Sequence, residues 1–484
     1  MSFWDWCLPY RKLVQAMADE VKKNVRRIAL GLLGVLVILF GYLSYIQVIE
    51  GEALAANSLN RRSAQSGMQI ERGKILDRNG KVLAFSERQP DGQYVRRYPY
   101  GAVLAHVVGY SNSSYGNTGI ESRFNRDLSG IKNPWRVLGP LANLWNSKAG
   151  NNVVTTIDAE LQTIAYRALG NRRGAVVALN PKTGAILAMV SKPSFNPEDV
   201  DTEWKILVND PESRLLNRAV QGLYPPGSTL KVMVAEAALR EKVTDTKQLF
   251  TCEGTWKIGK DYELSESHHQ AHGKVNLEDA LAVSCNITFG KLTVQLGPKR
   301  FAEAFTRFGF DRPTGLEIGD APSELPDFNR LSEGELAQTG IGQGSLLVTP
   351  LRMAMIAAAM ANQGNIMTPY LVTEINAPDG SQMETYSGKL LLTATSPELA
   401  QIVSKMMVSV VDRGTGSAAG LGRGSVAGKT GTAENPHGEP HAWFIGFAPV
   451  DNPQIAVAVI LENSGYGGAE AAPVARQIFA GALR

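Results

Sequence analysis

The longest apolar run of the chain lies near its N-terminus, between residues 28 and 49, and contains no charged residue. Such a run is long enough for a helix to cross a bilayer, which takes about 20 residues. Six basic residues precede it: Arg11, Lys12, Lys22, Lys23, Arg26 and Arg27. By the positive-inside rule, this pattern predicts a cytoplasmic tail over residues 1–27, a single-pass anchor in the cytoplasmic membrane over 28–49, and an extracytoplasmic remainder.

Two alternatives compete with a membrane anchor for this segment. A buried helix of a soluble protein would normally carry a polar stripe, which this run hardly has. A cleaved signal peptide is favoured by Ala53-Leu54-Ala55, which resembles a cleavage site. However, the apolar run exceeds the roughly 7–15 residues usual for a signal peptide, and Glu50 and Glu52 intervene. The pattern therefore favours an uncleaved anchor.

The composition of residues 50–150 is typical of strands and turns. Arg72–Gly80 reads as a strand that ends in an Asn-Gly turn, and Lys81–Ala84 is its expected partner. Long apolar helices are few, and no residue pattern in this region indicates chemistry. The sequence predicts a β-rich, non-catalytic pedestal domain over residues 50–150.

From residue 151 onward, short apolar strands alternate with helical periodicity. Asp158 is expected to cap a helix that runs through Leu169. The predicted strands are Val153–Ile157, Gly174–Leu179, Ala185–Val190, Ala442–Phe447 and Ile455–Leu461, and the other predicted helices are 229–242, 349–363 and Pro473–Leu483. Hairpins at both ends with helices between them predict an α+β domain over residues 151–484, with one antiparallel sheet covered by helices.

Composition narrows the function without naming it. The 484 residues are 44% hydrophobic and 20% charged, which argues against a disordered or polytopic protein. A net charge of +3, with no basic patch interleaved with aromatic residues, gives no sign of nucleic-acid binding. The three cysteines have no CxxC or His spacing, so no metal site is predicted. Cys252 and Cys285 could form a disulfide or stay as free buried thiols.

Three short motifs carry candidate chemistry: Ser-x-x-Lys, Ser-x-Asn and Lys-Thr-Gly. Each is weak alone, because such short patterns arise by chance in a chain of this length. Ser129–Lys132 also matches the first, but Pro134 follows it and no helix can continue, so a surface loop is expected. Lys182-Thr183-Gly184 also matches the third, and we interpret it as a hairpin turn.

Ser228 and Lys231 form the copy of the first motif with the right context. A turn with two prolines and a glycine comes directly before Ser228, and a helix-forming run follows it. Ser228 is thus expected at a helix N-terminus, where backbone N–H groups favour developing negative charge. Lys231 follows one helical turn later on the same face. In a partly dry pocket its ammonium would have a lowered pKa and could act as a base.

The other two motifs follow in order along the chain. Ser284-Cys285-Asn286 comes after a helical stretch, so its Ser and Asn could equally be a helix C-cap. Lys429-Thr430-Gly431-Thr432 begins a strand-like segment. Taken together, the order of the three motifs resembles the penicillin-binding protein and serine β-lactamase family. The segments Arg72–Gly80 and Gly340–Gly344 resemble class B penicillin-binding proteins specifically. One departure is Cys285, where β-lactamases have Asp.

The resemblance implies a peptidoglycan D,D-transpeptidase that is acylated by β-lactams. It implies that Ser228 attacks the bond between two D-alanines, that Lys231 takes its proton, and that Ser284 and Lys429 help to transfer protons. It further implies that the substrate peptide and its carboxylate are bound by Asn286, Thr430, Gly431 and Thr432. No metal or organic cofactor is expected.

Rivals and partners follow from the same resemblance. A D,D-carboxypeptidase or β-lactamase would use water as acceptor, but Glu324 and Asn329 echo the water-activating pattern of class A β-lactamases only imperfectly. A silent scaffold or a penicillin sensor would normally lack the nucleophile or carry a larger cytoplasmic domain. Residues 50–150 are too few for a glycosyltransferase, so the expected partner is a polytopic glycosyltransferase of the shape, elongation, division and sporulation (SEDS) family. The other expected partners are peptidoglycan stem peptides and the membrane.

Overall fold

A computed structural model of the chain describes residues 7–46, 50, 71–130, 149–260, 262–436 and 438–484. The chain divides into two compact units, Met1–Ser63 and Ala64–Arg484. The first contains helix α1, Cys7–Tyr45. Its stretch Ala16–Tyr45 is long and apolar enough to cross a membrane, with a mean hydropathy of 2.2. This helix fits a single-pass anchor or a signal sequence. The last residues of the predicted anchor, 47–49, lie outside the described part.

The second unit contains all other described elements. Its helices are α2 Ala105–Val108, α3 Gly119–Arg123, α4 Asn125–Leu128, α5 Ala159–Ala168, α6 Val200–Val208, α7 Lys231–Arg240, α8 Leu277–Ala282, α9 Asn286–Arg307, α10 Glu333–Gly340, α11 Pro350–Ala361, α12 Pro397–Arg413 and α13 Gly467–Ala482. Its strands are β1 Ile75–Leu76, β2 Val82–Arg88, β3 Tyr94–Arg97, β4 Ser111–Asn112, β5 Gly116–Asn117, β6 Asn152–Thr155, β7 Gly174–Leu179, β8 Ile186–Lys192, β9 Phe250–Cys252, β10 Thr255–Ile258, β11 Tyr262–Ser265, β12 Gly273–Val275, β13 Asn365–Met367, β14 Val372–Asn376, β15 Gln382–Thr385, β16 Leu390–Thr393, β17 Ala427–Ala433, β18 His441–Ala448 and β19 Ile455–Leu461.

A five-stranded antiparallel sheet forms the centre of this unit, in the order β17-β18-β19-β7-β8. Successive side chains of a strand point to opposite faces. Val177 and Ile445 therefore belong to one buried cluster, which includes residues of α7, α9 and α11. Val176 and Phe444 belong to another, which includes residues of α5 and α13. The predicted α+β architecture is confirmed.

A six-stranded sheet, in the order β15-β14-β6-β1-β2-β3, lies outside this centre. Strand β1 pairs antiparallel with β2 and parallel with β6. The predicted Asn-Gly turn is present: Gly80 has φ +82°, a conformation that glycine adopts without a Cβ penalty. The predicted first strand of this hairpin is shorter than expected, because only Ile75–Leu76 pair as a strand.

Helix ends follow the predicted caps, with one correction. Asp158 accepts hydrogen bonds from the backbone N–H groups of Glu160 and Leu161, so it caps α5 as predicted. The sequence predicts the C-terminal helix over Pro473–Leu483. It begins at Gly467 instead, and Pro473 lies inside it. Gly467 donates from its N–H to Oγ1 of Thr432, and this contact places the first turn against β17.

Candidate active site

Ser228 lies at the start of a helix, as the sequence predicts. A 3-10 turn over Gly227–Leu230 carries it and continues directly into α7. Gly227 has φ +54°, and a Cβ at this position would lie 2.8 Å from the carbonyl oxygen of Thr432. The glycine therefore lets the turn that carries Ser228 pack directly against β17. Ser228 itself is half-buried.

Lys231 is fully buried, yet its Nζ is surrounded by acceptors. It donates to the carbonyl oxygen of Ser284 at 2.6 Å, to Oδ1 of Asn286 at 2.7 Å and to Oγ of Ser284 at 3.4 Å. All three acceptors belong to the second motif. Burial lowers the pKa of Lys231 to about 8, while the charge of Glu266 acts in the opposite direction. An amine with a pKa near neutrality can hold or release a proton under physiological conditions.

Ser284 caps a helix and also contacts the lysines of the other two motifs. Its N–H donates to the carbonyl of Leu281, and the next N–H, of Cys285, donates to the carbonyl of Ala280. This pair of bonds is a Schellman C-cap of α8. Ser284 takes the left-handed position of that cap, with φ +61°, which is uncommon for a residue other than glycine. Its hydroxyl accepts from Nζ of Lys429 at 2.9 Å. The cap thus holds a polar side chain between two lysines.

Asn286 begins α9 with its amide fixed at both ends. Its Nδ2 donates to the carbonyl of Ser265 at 3.0 Å, and its Oδ1 accepts from Lys231. Its backbone N–H donates to Oε2 of Glu266 at 2.9 Å. Because each end of the amide has a defined partner, its orientation is set by the surrounding fold.

Lys429 to Thr432 lie on β17, against the turn that carries Ser228. Lys429 is fully buried, and Nζ also donates to the carbonyl of Thr430 at 2.9 Å. Burial, and to a lesser extent the charge of Lys231, holds the pKa of Lys429 well below its usual value. A Cβ at Gly431 would lie 3.0 Å from the Thr229 side chain, so a larger residue would push strand and turn apart. Thr430 and Thr415 share a hydrogen bond of 2.6 Å between their hydroxyls.

The structure therefore joins the three motifs through side-chain contacts. Lys231 contacts Ser284 and Asn286, Ser284 contacts Lys429, and the strand of Lys429 lies on the turn of Ser228. This arrangement brings the turn that carries the Ser228 hydroxyl together with two amines whose pKa values are lowered. Chemically, such a site suits acyl transfer through a serine.

The chance copies of the motifs lie elsewhere. Lys182-Thr183-Gly184 forms the turn between β7 and β8, with Gly184 at φ +83°, as predicted. Ser129 was expected in a surface loop, and this was wrong: it is only 7% exposed, and its hydroxyl donates to the carbonyl of Asn125. The reason is local, because Ser129 follows the last turn of α4. Lys132 lies outside the described residues.

A cluster of four potential metal ligands, absent from the sequence-based prediction, lies directly behind the second motif. It consists of Cys252, Glu266, His272 and Cys285, whose ligand atoms all lie within 4.8 Å of one another. Both cysteines are free buried thiols rather than a disulfide. Sulfur, imidazole nitrogen and carboxylate oxygen are the ligands that Zn²⁺ takes in structural sites. The spacing of these four residues along the chain is too irregular to match a known ligand pattern, so no sequence motif indicates the cluster.

Glu266 is the centre of this cluster. Its Oε1 accepts from the thiols of Cys285 at 3.0 Å and Cys252 at 3.4 Å, and it lies 3.9 Å from Nδ1 of His272. Burial and the carboxylate of Glu266 raise the pKa of the Cys285 thiol. A dication at this position would satisfy the carboxylate and displace the thiol protons.

Comparisons with known proteins agree with this geometry. The sequence profile of the penicillin binding protein transpeptidase domain matches residues 174–480, and that of the penicillin binding protein A dimerisation domain matches 72–153. The peptidoglycan D,D-transpeptidase PbpA of Mycolicibacterium smegmatis is 35% identical over an alignment of 496 positions, gaps included, that covers 95% of this chain and 99% of the relative.

Solved structures give the same result. Penicillin-binding protein A of M. tuberculosis, in its ceftriaxone acyl-enzyme complex, has a TM-score of 0.80 and 33% identity, covering 87% of this chain and 100% of that one. The D,D-transpeptidase domain of a peptidoglycan glycosyltransferase from Eggerthella lenta has a TM-score of 0.79 and 35% identity, covering 86% and 98%.

Proposed function

The chain belongs to the penicillin-binding protein transpeptidase family, as a class B peptidoglycan D,D-transpeptidase, and from this premise we propose that Ser228 is its nucleophile. The observation that supports this assignment most is the contact of Ser284 with both buried lysines, Lys231 and Lys429. That contact links the other two motifs to the turn on which Ser228 lies. Lys231 is the general base, since burial lowers its pKa to about 8.

Acylation proceeds as follows. Lys231 takes the proton of the Ser228 hydroxyl while Oγ attacks the carbonyl carbon of the penultimate D-alanine. The backbone N–H groups of Ser228 and Thr432 stabilise the resulting oxyanion, and one such donor typically contributes about 10²–10³ in rate. When the intermediate collapses, the carbon–nitrogen bond breaks. The leaving amine of the terminal D-alanine receives the proton from Lys231 through the hydroxyl of Ser284, with Lys429 holding that hydroxyl.

Transpeptidation then reverses these roles. The amine of a neighbouring stem peptide attacks the ester on Ser228 and gives up a proton to Lys231. The new amide bond forms, the ester bond breaks, and the Ser228 hydroxyl is restored. No other reactant is needed, because the acyl group passes from one amine to another.

Substrate binding involves the groups around this centre. Asn286 has a fixed amide that hydrogen-bonds the donor peptide. Lys429 and the hydroxyls of Thr430 and Thr432 hold the terminal carboxylate. Gly431, whose missing side chain lets β17 pack on the Ser228 turn, keeps these groups within reach of the nucleophile. A β-lactam occupies the same groups but leaves no departing fragment, so its acyl-enzyme persists, as in the acyl-enzyme complexes of penicillin-binding protein A.

Helix α1 supports a proposal for the location of the enzyme. We propose that it is an uncleaved anchor, with residues 1–27 in the cytoplasm and the rest of the chain outside. Residues 50–150 then form a pedestal, and 151–484 the catalytic domain. A polytopic glycosyltransferase of the SEDS family supplies the glycan strands and contacts the anchor and the pedestal. The apolar composition of Ala16–Tyr45 supports the anchor.

Water could replace the acceptor amine, as in a carboxypeptidase or a β-lactamase. Glu324, the candidate water-activating residue, pairs by backbone hydrogen bonds with Leu347 in an isolated bridge.

The experiment that distinguishes transpeptidation from hydrolysis is to incubate the full-length protein in detergent with nascent peptidoglycan and to analyse the muropeptides. Cross-linked dimers together with free D-alanine support the proposal, and their loss in Ser228→Ala assigns the nucleophile. Free D-alanine without dimers would show a hydrolase instead.

We also propose that the cluster of Cys252, Glu266, His272 and Cys285 holds a structural Zn²⁺. The donor set and the closeness of the ligand atoms support it. The ion would supply a fixed cross-link and no catalytic chemistry. It would hold Cys285, and hence the segment between Ser284 and Asn286, in place behind Lys231.

A further inference from the structure

An exposed contact joins two segments that are far apart in the chain. Oη of Tyr466 lies 3.1 Å from Nε2 of His268, and the two residues are 198 positions apart in sequence. Tyr466 is 52% exposed although it is a large aromatic residue, and His268 is exposed as well. None of the three motifs includes either residue.

Tyr466 is held beside the strand of the third motif. The N–H of the next residue, Gly467, donates to Oγ1 of Thr432 at 3.4 Å. A Cβ at Gly467 would lie 2.2 Å from the carbonyl oxygen of Gly431 and 2.3 Å from that of Trp443. Only glycine permits so close an approach, so the position of Tyr466 over β17 is fixed by packing.

His268 is held beside the second motif. Two residues earlier, the Glu266 carboxylate accepts the N–H groups of Asn286 and Ile287. Ser265 accepts from the side chain of Asn286 through its carbonyl. His268 itself has φ +56° and His269 has φ +53°, so two successive residues other than glycine adopt the left-handed conformation. Such a backbone persists only where the surroundings hold it.

Strand β17, which carries the third motif, and the second motif are therefore joined at two levels. Inside, Nζ of Lys429 donates to Oγ of Ser284. At the surface, Tyr466 contacts His268. We propose that Tyr466 and His268 form a clasp across Thr432 and Asn286, and that this clasp limits the size of the side chain that an acyl donor can carry there. This inference rests on the proposed function, in which Thr432 and Asn286 bind the acyl donor.

The clasp can open at low cost. It consists of one hydrogen bond between two exposed side chains, and the loss of one such bond typically changes an equilibrium by about threefold to tenfold. A donor with a small side chain fits beneath the closed clasp, whereas a bulky donor has to break the bond. Removing the bond should therefore accelerate bulky donors selectively.

The test compares two β-lactams on the full-length protein in detergent. The probes are 6-aminopenicillanic acid, which has no acyl side chain, and penicillin G, which has a phenylacetyl group. We expect Tyr466→Phe and His268→Ala each to raise the ratio of the penicillin G to the 6-aminopenicillanic acid acylation rate by about threefold to tenfold, a change typical for loss of one hydrogen bond. The rate with 6-aminopenicillanic acid should stay within about twofold of the parent.

A double variant separates a clasp from two independent effects. If the residues act through their mutual bond, Tyr466→Phe/His268→Ala will change the ratio no more than either single variant. His269→Ala and Tyr115→Phe, which alter other exposed side chains, serve as controls and should leave the ratio unchanged. Equal changes with both probes, additive effects in the double variant or an unchanged ratio would each overturn the clasp. If 6-aminopenicillanic acid did not acylate the parent protein at all, that result would instead contradict the proposed function.

Discussion

Nζ of Lys429 donates a hydrogen bond to Oγ of Ser284 at 2.9 Å, although 145 residues separate the two in sequence. Lys231 approaches the same hydroxyl at 3.4 Å. One hydroxyl thus lies between two buried amines. Burial, and to a lesser extent the positive charge of Lys231, favours the neutral form of Lys429. This is the property that a proton-transferring centre requires.

The acylation rate should depend on pH through Lys231. As a base, this residue acts only when neutral, and its pKa is lowered by burial to about 8. The rate should therefore rise about tenfold per pH unit below pH 8 and level off above it. Acylation by penicillin G, followed from pH 5 to 10 by stopped flow, measures this. A rate independent of pH across that range would show that Lys231 is not the base.

The same shift has a consequence for stability. The folded pKa of Lys231 lies below its unfolded value of 10.5. Between about pH 8 and 10.5 the unfolded chain therefore binds more protons than the folded one, and stability due to this group increases with pH in that window.

Lys231→Arg keeps the charge but cannot lose it, so we expect acylation to fall by about 10²-fold or more. Its melting temperature verifies that the variant is folded.

Substitutions at Ser284 should separate its backbone role from its hydroxyl role. Its φ of +61° is unfavourable for alanine and favourable for glycine. Ser284→Ala should therefore destabilise the protein by about 1 kcal/mol relative to Ser284→Gly, measured by thermal unfolding. Both variants lose the hydroxyl, so both should lose cross-linking activity to a similar extent, by about 10²-fold. Full activity in the glycine variant would exclude a role for the hydroxyl in proton transfer.

The zinc content of the purified protein tests the proposed structural Zn²⁺ site. Purified protein should contain about one zinc ion per chain, measured by inductively coupled plasma mass spectrometry. His272→Ala and Cys285→Ser should lower both the zinc content and the melting temperature, whereas the nearby control His269→Ala should lower neither. The site would be contradicted by purified protein that contains no metal, whose two buried thiols react rapidly with a thiol reagent, and whose melting temperature is the same in the parent and the ligand variants.

Local features of the fold could be predicted because short stretches determine them. The cap at Asp158, the hairpin of β7 and β8 and the turn before Ser228 each depend on neighbouring residues. The flanking sequence likewise distinguishes Lys429-Thr430-Gly431, which begins a strand, from the copy at 182, which forms a turn.

Contacts between distant segments could not be predicted in this way. Glu266 and His272 carry no motif, and they meet Cys252 and Cys285 only once β9 and the loop after β11 are folded. The contact of Tyr466 with His268 likewise depends on tertiary packing. The early start of α13 has the same origin, since Gly467 is held by Thr432 rather than by its own sequence neighbours.

The most direct measurement is the site of covalent labelling by a penicillin. Full-length protein in detergent is treated with a fluorescent penicillin, digested, and examined by peptide mass spectrometry. A stable adduct on the peptide that contains Ser228, absent from a folded Ser228→Ala variant, is the predicted result. An adduct on another peptide, or none in folded protein, would contradict the assignment of Ser228 as the nucleophile.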